Sequence, residues 1–338
     1  MNNAGDKDLV ILSIGTAHIL TQLAYDLDNY AQIRTIWEKV KEDPNLVGDD
    51  NDYHNYSVVL SRLDDYLTAY EIVERGLEQF PYNTDLLADA INYGSNCNKY
   101  NEAMSHFDTL NRRPYSSWTW RAFQFSIDFL QRSWNWLEDK ERAINGLNLA
   151  LKLARLYQKY HPSDERSYVA EYELLQNLSK IALDNEDEAE SAKKEAEALQ
   201  VLKRTIESGE YPAVQCSLRY ADELFRKQKY EEVIHICNRA MQYGQSSATV
   251  RLGYFMYLSA QSREILLYKN ENWRDNQLEV ETIYREYLAS LSDTGNDYKQ
   301  DIYRRVNILS ARTGIKILDD LAGKLKNNEY TLSNTQLL

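Results

Sequence analysis

The side chains best suited to chemistry stand apart from one another in this sequence. Five histidines, His18, His54, His106, His161 and His235, occur singly, with no second imidazole one helical turn away to complete a metal pair. The three cysteines, Cys97, Cys216 and Cys237, are odd in number and form no C-x-x-C pair, so they read as small buried hydrophobes in a reducing compartment. No glycine-rich phosphate loop and no nucleophile elbow occurs. The run Asp49-Asp50-Asn51-Asp52 offers the oxygen ligands that calcium takes. A calcium loop counted from Asp50 needs glycine at its sixth position and glutamate at its twelfth, where the sequence has Asn55 and Ser61. The run therefore predicts an acidic helix N-cap instead. Trp118, Trp120, Phe123, Phe125 and Phe129 are spaced like one helix, which makes them core before it makes them a ligand box. These residues predict no catalytic site, no cofactor and no metal, and so a protein that is not an enzyme.

The elements that would position any site are helices. Of 338 residues 43% are hydrophobic, enough for a large core, while only 12 Gly and 5 Pro punctuate the chain, too few for a succession of short strands. The 26 Tyr suit helix packing, since each ring buries apolar area while its hydroxyl reaches solvent. A formal charge of −13 repels phosphate backbones and favours basic partners, which predicts no nucleic-acid binding. The apolar stretch Leu9–Ile14 is far too short to span a membrane and has neither a basic start nor a cleavage site, so the expectation is a cytoplasmic protein without membrane association.

The chain repeats itself. Tyr66, Tyr100 and Tyr230 are each followed three residues later by Ala69, Ala103 or Val233, then four further on by Val73, Phe107 or Cys237, and three beyond that by Gly76, Leu110 or Ala240. Tyr30 with Ile33, Trp37 and Val40 repeats the scheme, and the step from Tyr66 to Tyr100 is 34 residues. Such spacing puts these residues on one helix face. The preceding segments carry a complementary pattern: Leu87, Ala90, Ile91 and Gly94; Ser217, Tyr220, Ala221 and Leu224; Tyr53, Tyr56, Ser57 and Leu60. Pro44, Pro81, Pro114, Pro162 and Pro212 each fall just past a helical segment, where a residue unable to continue a helix belongs. Regular repeats are predicted over about 14–114 and 214–245, and longer-helixed ones over about 116–210 and 246–292. Among the latter, helices are expected from about Ser116 to Leu130 and from Trp273 to Leu291. The acidic cluster Asp184, Glu186, Asp187 and Glu188 is expected where a second helix begins, at the positive end of its dipole. A capping helix is expected over about 297–326 and a polar tail over 327–338.

With its second-helix aromatic, small and aromatic slots, this pattern resembles the tetratricopeptide repeat (TPR) family. The resemblance covers most of the chain and is stronger in the second helices than in the first. It implies an all-α, right-handed superhelical solenoid of about seven antiparallel helical pairs, one TPR-like body over 9–326. It also implies a concave groove lined by the first helices, here by His18, Gln22, His54, Val58 and Arg62, continued by Asp85, Asn92 and Asn96. Carboxamides in such a groove pair with both peptide N–H and C=O groups. Family members that grip a terminal carboxylate use a Lys and Asn cluster; here only Asn92 keeps a clamp-like slot, which argues against that mode. The implied function is a scaffold or adaptor that binds a protein or peptide partner, a basic one where charge decides. The alternative is a receptor for a short signalling peptide acting through a separate effector chain.

Overall fold

The computed structural model describes residues 14–27, 29–42, 48–132, 140–208, 213–244 and 252–269. They form thirteen α-helices, with no strand among the described residues. In order these are α1 (Ile14–Asp26), α2 (Tyr30–Glu42), α3 (Asp50–Arg62), α4 (Tyr66–Gln79), α5 (Thr84–Asn96), α6 (Tyr100–Asn111), α7 (Trp120–Arg132), α8 (Lys140–Tyr160), α9 (Glu165–Asp184), α10 (Glu188–Ser208), α11 (Val214–Arg226), α12 (Tyr230–Gly244) and α13 (Leu252–Lys269). The expected helix Trp273–Leu291, the cap, the tail, Pro44 and Pro212 lie outside the described residues.

The repeated residues are the core. Tyr30, Tyr66, Tyr100 and Tyr230 each open a second helix, and the three positions that follow in register are buried in every case: Ile33, Trp37 and Val40; Ala69, Val73 and Gly76; Ala103, Phe107 and Leu110; Val233, Cys237 and Ala240. Small residues set the helix spacing. A Cβ on Gly76 would stand 3.0 Å from Leu86 Cδ1 and from both Cβ and Cγ of Tyr53, so α4 meets α3 and α5 there with no room for a methyl group.

One turn geometry closes the hairpins. Asp64, Asn98, Glu186 and Gln228 have φ of 59°, 62°, 61° and 60°, the left-handed region. The residue after each donates its N–H five residues back: Asp65 to Leu60, Lys99 to Gly94, Asp187 to Ala182 and Lys229 to Leu224. This is the helix-ending Schellman turn, which satisfies carbonyls orphaned at the helix C-terminus. The next helix is then capped where a suitable residue is present: the Asp65 carboxylate accepts from Thr68 N–H at 3.2 Å.

Three expectations need correction. The helix expected from Ser116 begins instead as a 3-10 turn at Tyr115–Ser117, and α7 starts at Trp120. There Thr119 Oγ1 accepts from Ala122 N–H, which caps the helix at that residue. Cys97 is only half-buried at the end of α5, whereas Cys216 and Cys237 are buried. Of the acidic cluster expected to open a second helix, Asp184 is the last residue of α9; the acids in the first turn of α10 are Glu188 and Glu190. The acidic run at Asp49 does cap α3, with Asp49 and Asp52 exchanging backbone and side-chain hydrogen bonds as a capping box.

The chain divides into two compact units, residues 1–162 with 180–187, and residues 163–179 with 188–338. In the first, α1, α3, α5 and α7 lie side by side, each packed on the next, with α2, α4 and α8 paired to the first helices beside them. In the second, α11 packs on α12 and α13, around Ala221, Leu224, Val233, Cys237, Phe255 and Leu258.

Candidate protein-interaction face

The face built by α1, α3, α5 and α7 carries a polar ladder whose centre is Asp89 of α5. Its side chain is fully buried, inside the apolar run Leu86-Leu87-Ala88-Asp89-Ala90-Ile91. A buried carboxylate is costly unless its lone pairs are filled. Asp89 Oδ2 accepts from His54 Nδ1 of α3 at 2.6 Å, and Oδ1 accepts from Arg121 Nε of α7 at 2.7 Å. Since a carboxylate only accepts, His54 carries a proton on Nδ1. Arg121 reaches on to the Tyr93 hydroxyl at 3.3 Å and lies over the Phe125 ring at 4.8 Å. Burial, and secondarily the Asp89 charge, push the Tyr93 phenol up to about 12. One buried anion thus ties three successive first helices together.

The other predicted residues distribute along and around this ladder. Asp85 Oδ1 accepts from Thr119 Oγ1 at 2.8 Å, a second tie between α5 and the start of α7. Asn96 Oδ1 accepts from Arg132 Nη1 at 3.4 Å, and its Nδ2 donates to the Asn92 carbonyl at 2.8 Å and to Asn92 Oδ1 at 3.2 Å. Gln22 Nε2 donates to Asp26 within α1 at 2.8 Å. His18 is half-buried; burial pulls its pKa below the ordinary 6.5, and the Asp52 charge offsets that only in part. Val58 is half-buried on α3. Arg62 is exposed at the end of α3, where it borders a cleft toward α2 rather than the ladder.

His54, Asp85 and Asn96 thus each take part in a separate tie between neighbouring first helices, and Asn92 bonds to Asn96 within α5, while His18, Gln22 and Arg62 stand outside these hydrogen bonds. Asp89 and Arg121 were not anticipated. The available signal was a lone carboxylate within an apolar helical run, which demands a partner from a neighbouring element. His54 Nε2 receives no hydroxyl or thiol hydrogen bond among the described residues, and the pair serves as a stitch between helices. What the face presents outward is hydrogen-bonding capacity: the Asn92 amide nitrogen has no protein partner among the described residues.

No family model matches the sequence, and no curated protein matches it. Among solved structures the chain is similar to TTC0263, a thermophilic TPR protein of Thermus thermophilus, at 16% identity over 64% of this chain and 99% of that one, with a TM-score of 0.37. It is also similar to the apo form of RapI, at 12% identity, 91% and 85% coverage and a TM-score of 0.43. A third likeness is to the P58(IPK) TPR domain, at 11% identity, 94% and 99% coverage and a TM-score of 0.26. Such values concern fold alone. The class is that of all-α, TPR-like helical repeats, and it rests on the chain's own register of buried residues and repeated turns. No helix among the described residues is long and apolar enough to cross a membrane.

Proposed function

We propose that the chain is a non-enzymatic scaffold or adaptor that holds a protein or peptide partner against the first-helix face of α1, α3, α5 and α7. The supporting observation is the Asp89-centred ladder: three helices are tied together beside polar side chains that include the half-buried Asn92 carboxamide, whose nitrogen has no protein partner among the described residues. An extended segment laid across such a face meets donors and acceptors at a rigid, repeating interval. Rigidity matters because ordering a loose surface would cost affinity. The acidic charge of −13 favours a basic partner.

The test is an affinity pull-down with the intact chain, repeated with Asn92→Ala/Asn96→Ala. Asn92 is half-buried and Asn96 exposed, and apart from the long 3.4 Å contact to Arg132 their side-chain bonds stay within α5, so the melting temperature is expected to fall only slightly. Recovery of one stoichiometric partner, lost or reduced at least about tenfold in the variant, supports the reading. Undiminished recovery by the variant would remove the partner from this face. Thermal stabilisation by short peptides, with no protein recovered, would favour a peptide receptor.

A further inference from the structure

The junction of the first two helical pairs lies away from the ladder. A cleft of about 770 Å³ opens between the ends of α1 and α3, the body of α2 and the turn into α4, within the roughly 300–1,000 Å³ range of clefts that take a ligand or an anchoring side chain. Its floor is apolar: Ile33, Trp37 and Leu60. Half-buried Tyr25 and Leu63 form its walls.

The rim has a sign. Glu38, Asp64 and Asp65 are exposed carboxylates, against a single exposed cation among the described lining residues, Arg62. Asp65 is fixed in place as the α4 cap. Two helices, α1 and α3, end at this cleft, and a helix C-terminus carries partial negative charge that adds to the rim. An apolar floor under an acidic rim selects one chemistry: a large aliphatic or aromatic side chain with cationic neighbours. We propose that this cleft anchors a basic polypeptide segment by one such side chain, flanked by Lys or Arg. The site is independent of the first-helix face and would stand if that face bound nothing.

The experiment uses the intact chain and fluorescein-labelled Lys-Lys-Leu-Lys-Lys, with Lys-Lys-Ser-Lys-Lys and Glu-Glu-Leu-Glu-Glu as comparisons, read by fluorescence anisotropy. The leucine peptide is expected to bind at least about tenfold tighter than either comparison, through the buried side chain and the charge match. Glu38→Lys with Asp64→Asn should weaken it several-fold, and added salt should act the same way. Arg62→Ala should tighten it, because it removes the cation on the rim. Leu63→Trp should fill the cleft and abolish binding without changing charge. If that variant fails to fold, amide chemical shifts on the native chain replace it, with Leu63, Asp64 and Thr68 expected to move on titration. Equal binding of the serine peptide would reduce the interaction to general attraction by an acidic chain and overturn the proposal. So would unmoved amides, or indifference to Glu38→Lys/Asp64→Asn. A solution mass of two chains that falls to one in Leu63→Trp would assign the cleft to a second copy and overturn it as well. Because Asn92 and Asn96 are absent from the cleft, the first-helix-face reading and this one fail separately.

Discussion

Asp89 is the residue on which the arrangement of three helices turns. Removing its carboxylate in Asp89→Ala leaves His54 and Arg121 facing an empty, buried acceptor position. Both partners keep some solvent, with side chains 24% and 31% exposed, so the loss should fall toward the low end of a broken buried pair, about 2–4 kcal/mol in urea denaturation. Asp89→Asn retains one acceptor oxygen and should lose about half as much. Equal stability of the two variants would mean that, once the charge is lost, the remaining acceptor oxygen and side-chain shape contribute nothing. The left-handed turn residues make an opposite prediction. Gln228 holds φ of 60° without the freedom of glycine, and its side chain is exposed. Gln228→Gly is expected to raise stability by up to about 1 kcal/mol, read as an upward shift of the melting temperature. Neither feature was legible residue by residue. Asp64, Asn98, Glu186 and Gln228 share a conformation but no side-chain type, and Asp89 lies 35 positions from His54 and 32 from Arg121. Only knowledge of which helices stack makes such separations meaningful.

Helices, by contrast, could be read from the sequence because their burial follows a fixed register. The second helices α2, α4, α6 and α12 announce themselves through an opening Tyr and three buried positions in register; α8 and α10, which open at Lys140 and Glu188, do not share that signature. The first helices were harder because they pack on more neighbours, α5 meeting α3, α4, α6 and α7 where α4 meets only α3 and α5 among the main contacts, so apolar residues cover more of the surface and the stripe blurs. Close approach can be tested at the glycines. Gly76→Ala gains helix propensity of about 1 kcal/mol but forces a methyl against three atoms at 3.0 Å. Gly94→Ala meets Tyr70 Cε2 at 3.1 Å and Ala103 Cβ at 3.3 Å. Gly76→Ala is therefore expected to be the more destabilising of the two in urea, and the reverse order would show that the α3–α4–α5 contact can relax. A second test concerns helix α11, whose first N–H groups are capped from another helix: Glu165 Oε2 of α9 accepts from Gln215 N–H at 2.8 Å and from Cys216 N–H at 3.4 Å. Burial raises the Glu165 pKa above the ordinary 4.5, and the two backbone hydrogen bonds pull it back only partly. The folded chain thus holds this proton more tightly than the unfolded chain does. Its contribution to stability is present at low pH and is lost as pH rises from 4.5 through the folded value. Glu165→Gln keeps an acceptor oxygen and abolishes the titration, so the difference in urea midpoint between variant and wild type should move in the variant's favour across that window. A pH-independent difference would refute the assignment.

At the scale of the whole molecule, the side-chain ties named among the described residues run between neighbouring helices. In the first unit α3 packs on α1, α4 and α5, and its ladder passes only through α5 to α7. In the second unit the ties repeat with different residues: Tyr172 donates to Glu223 at 2.8 Å, Arg219 to Glu173 at 2.8 Å, and Tyr254 to Asp222. Each joins one first helix to the next, as the Asp89 contacts do, so the same structural task is met by unrelated side chains at each step. That is why the ladder left no recurring motif, although the repeat itself did. A chain held this way has stability that is close to a sum of local terms. Damage at one step should therefore remain near that step. Hydrogen exchange on Asp89→Ala tests this directly. Amides of α3, α5 and α7 are expected to exchange faster, through local openings made easier by the lost tie, while those of α11, α12 and α13 keep their wild-type protection. Uniform acceleration across both sets would mean that the chain opens as one cooperative body, and the additive account would have to be given up. Confinement to α3, α5 and α7 would make the ladder what the proposed function needs: a local brace that sets the spacing of a binding face without committing the rest of the chain to it.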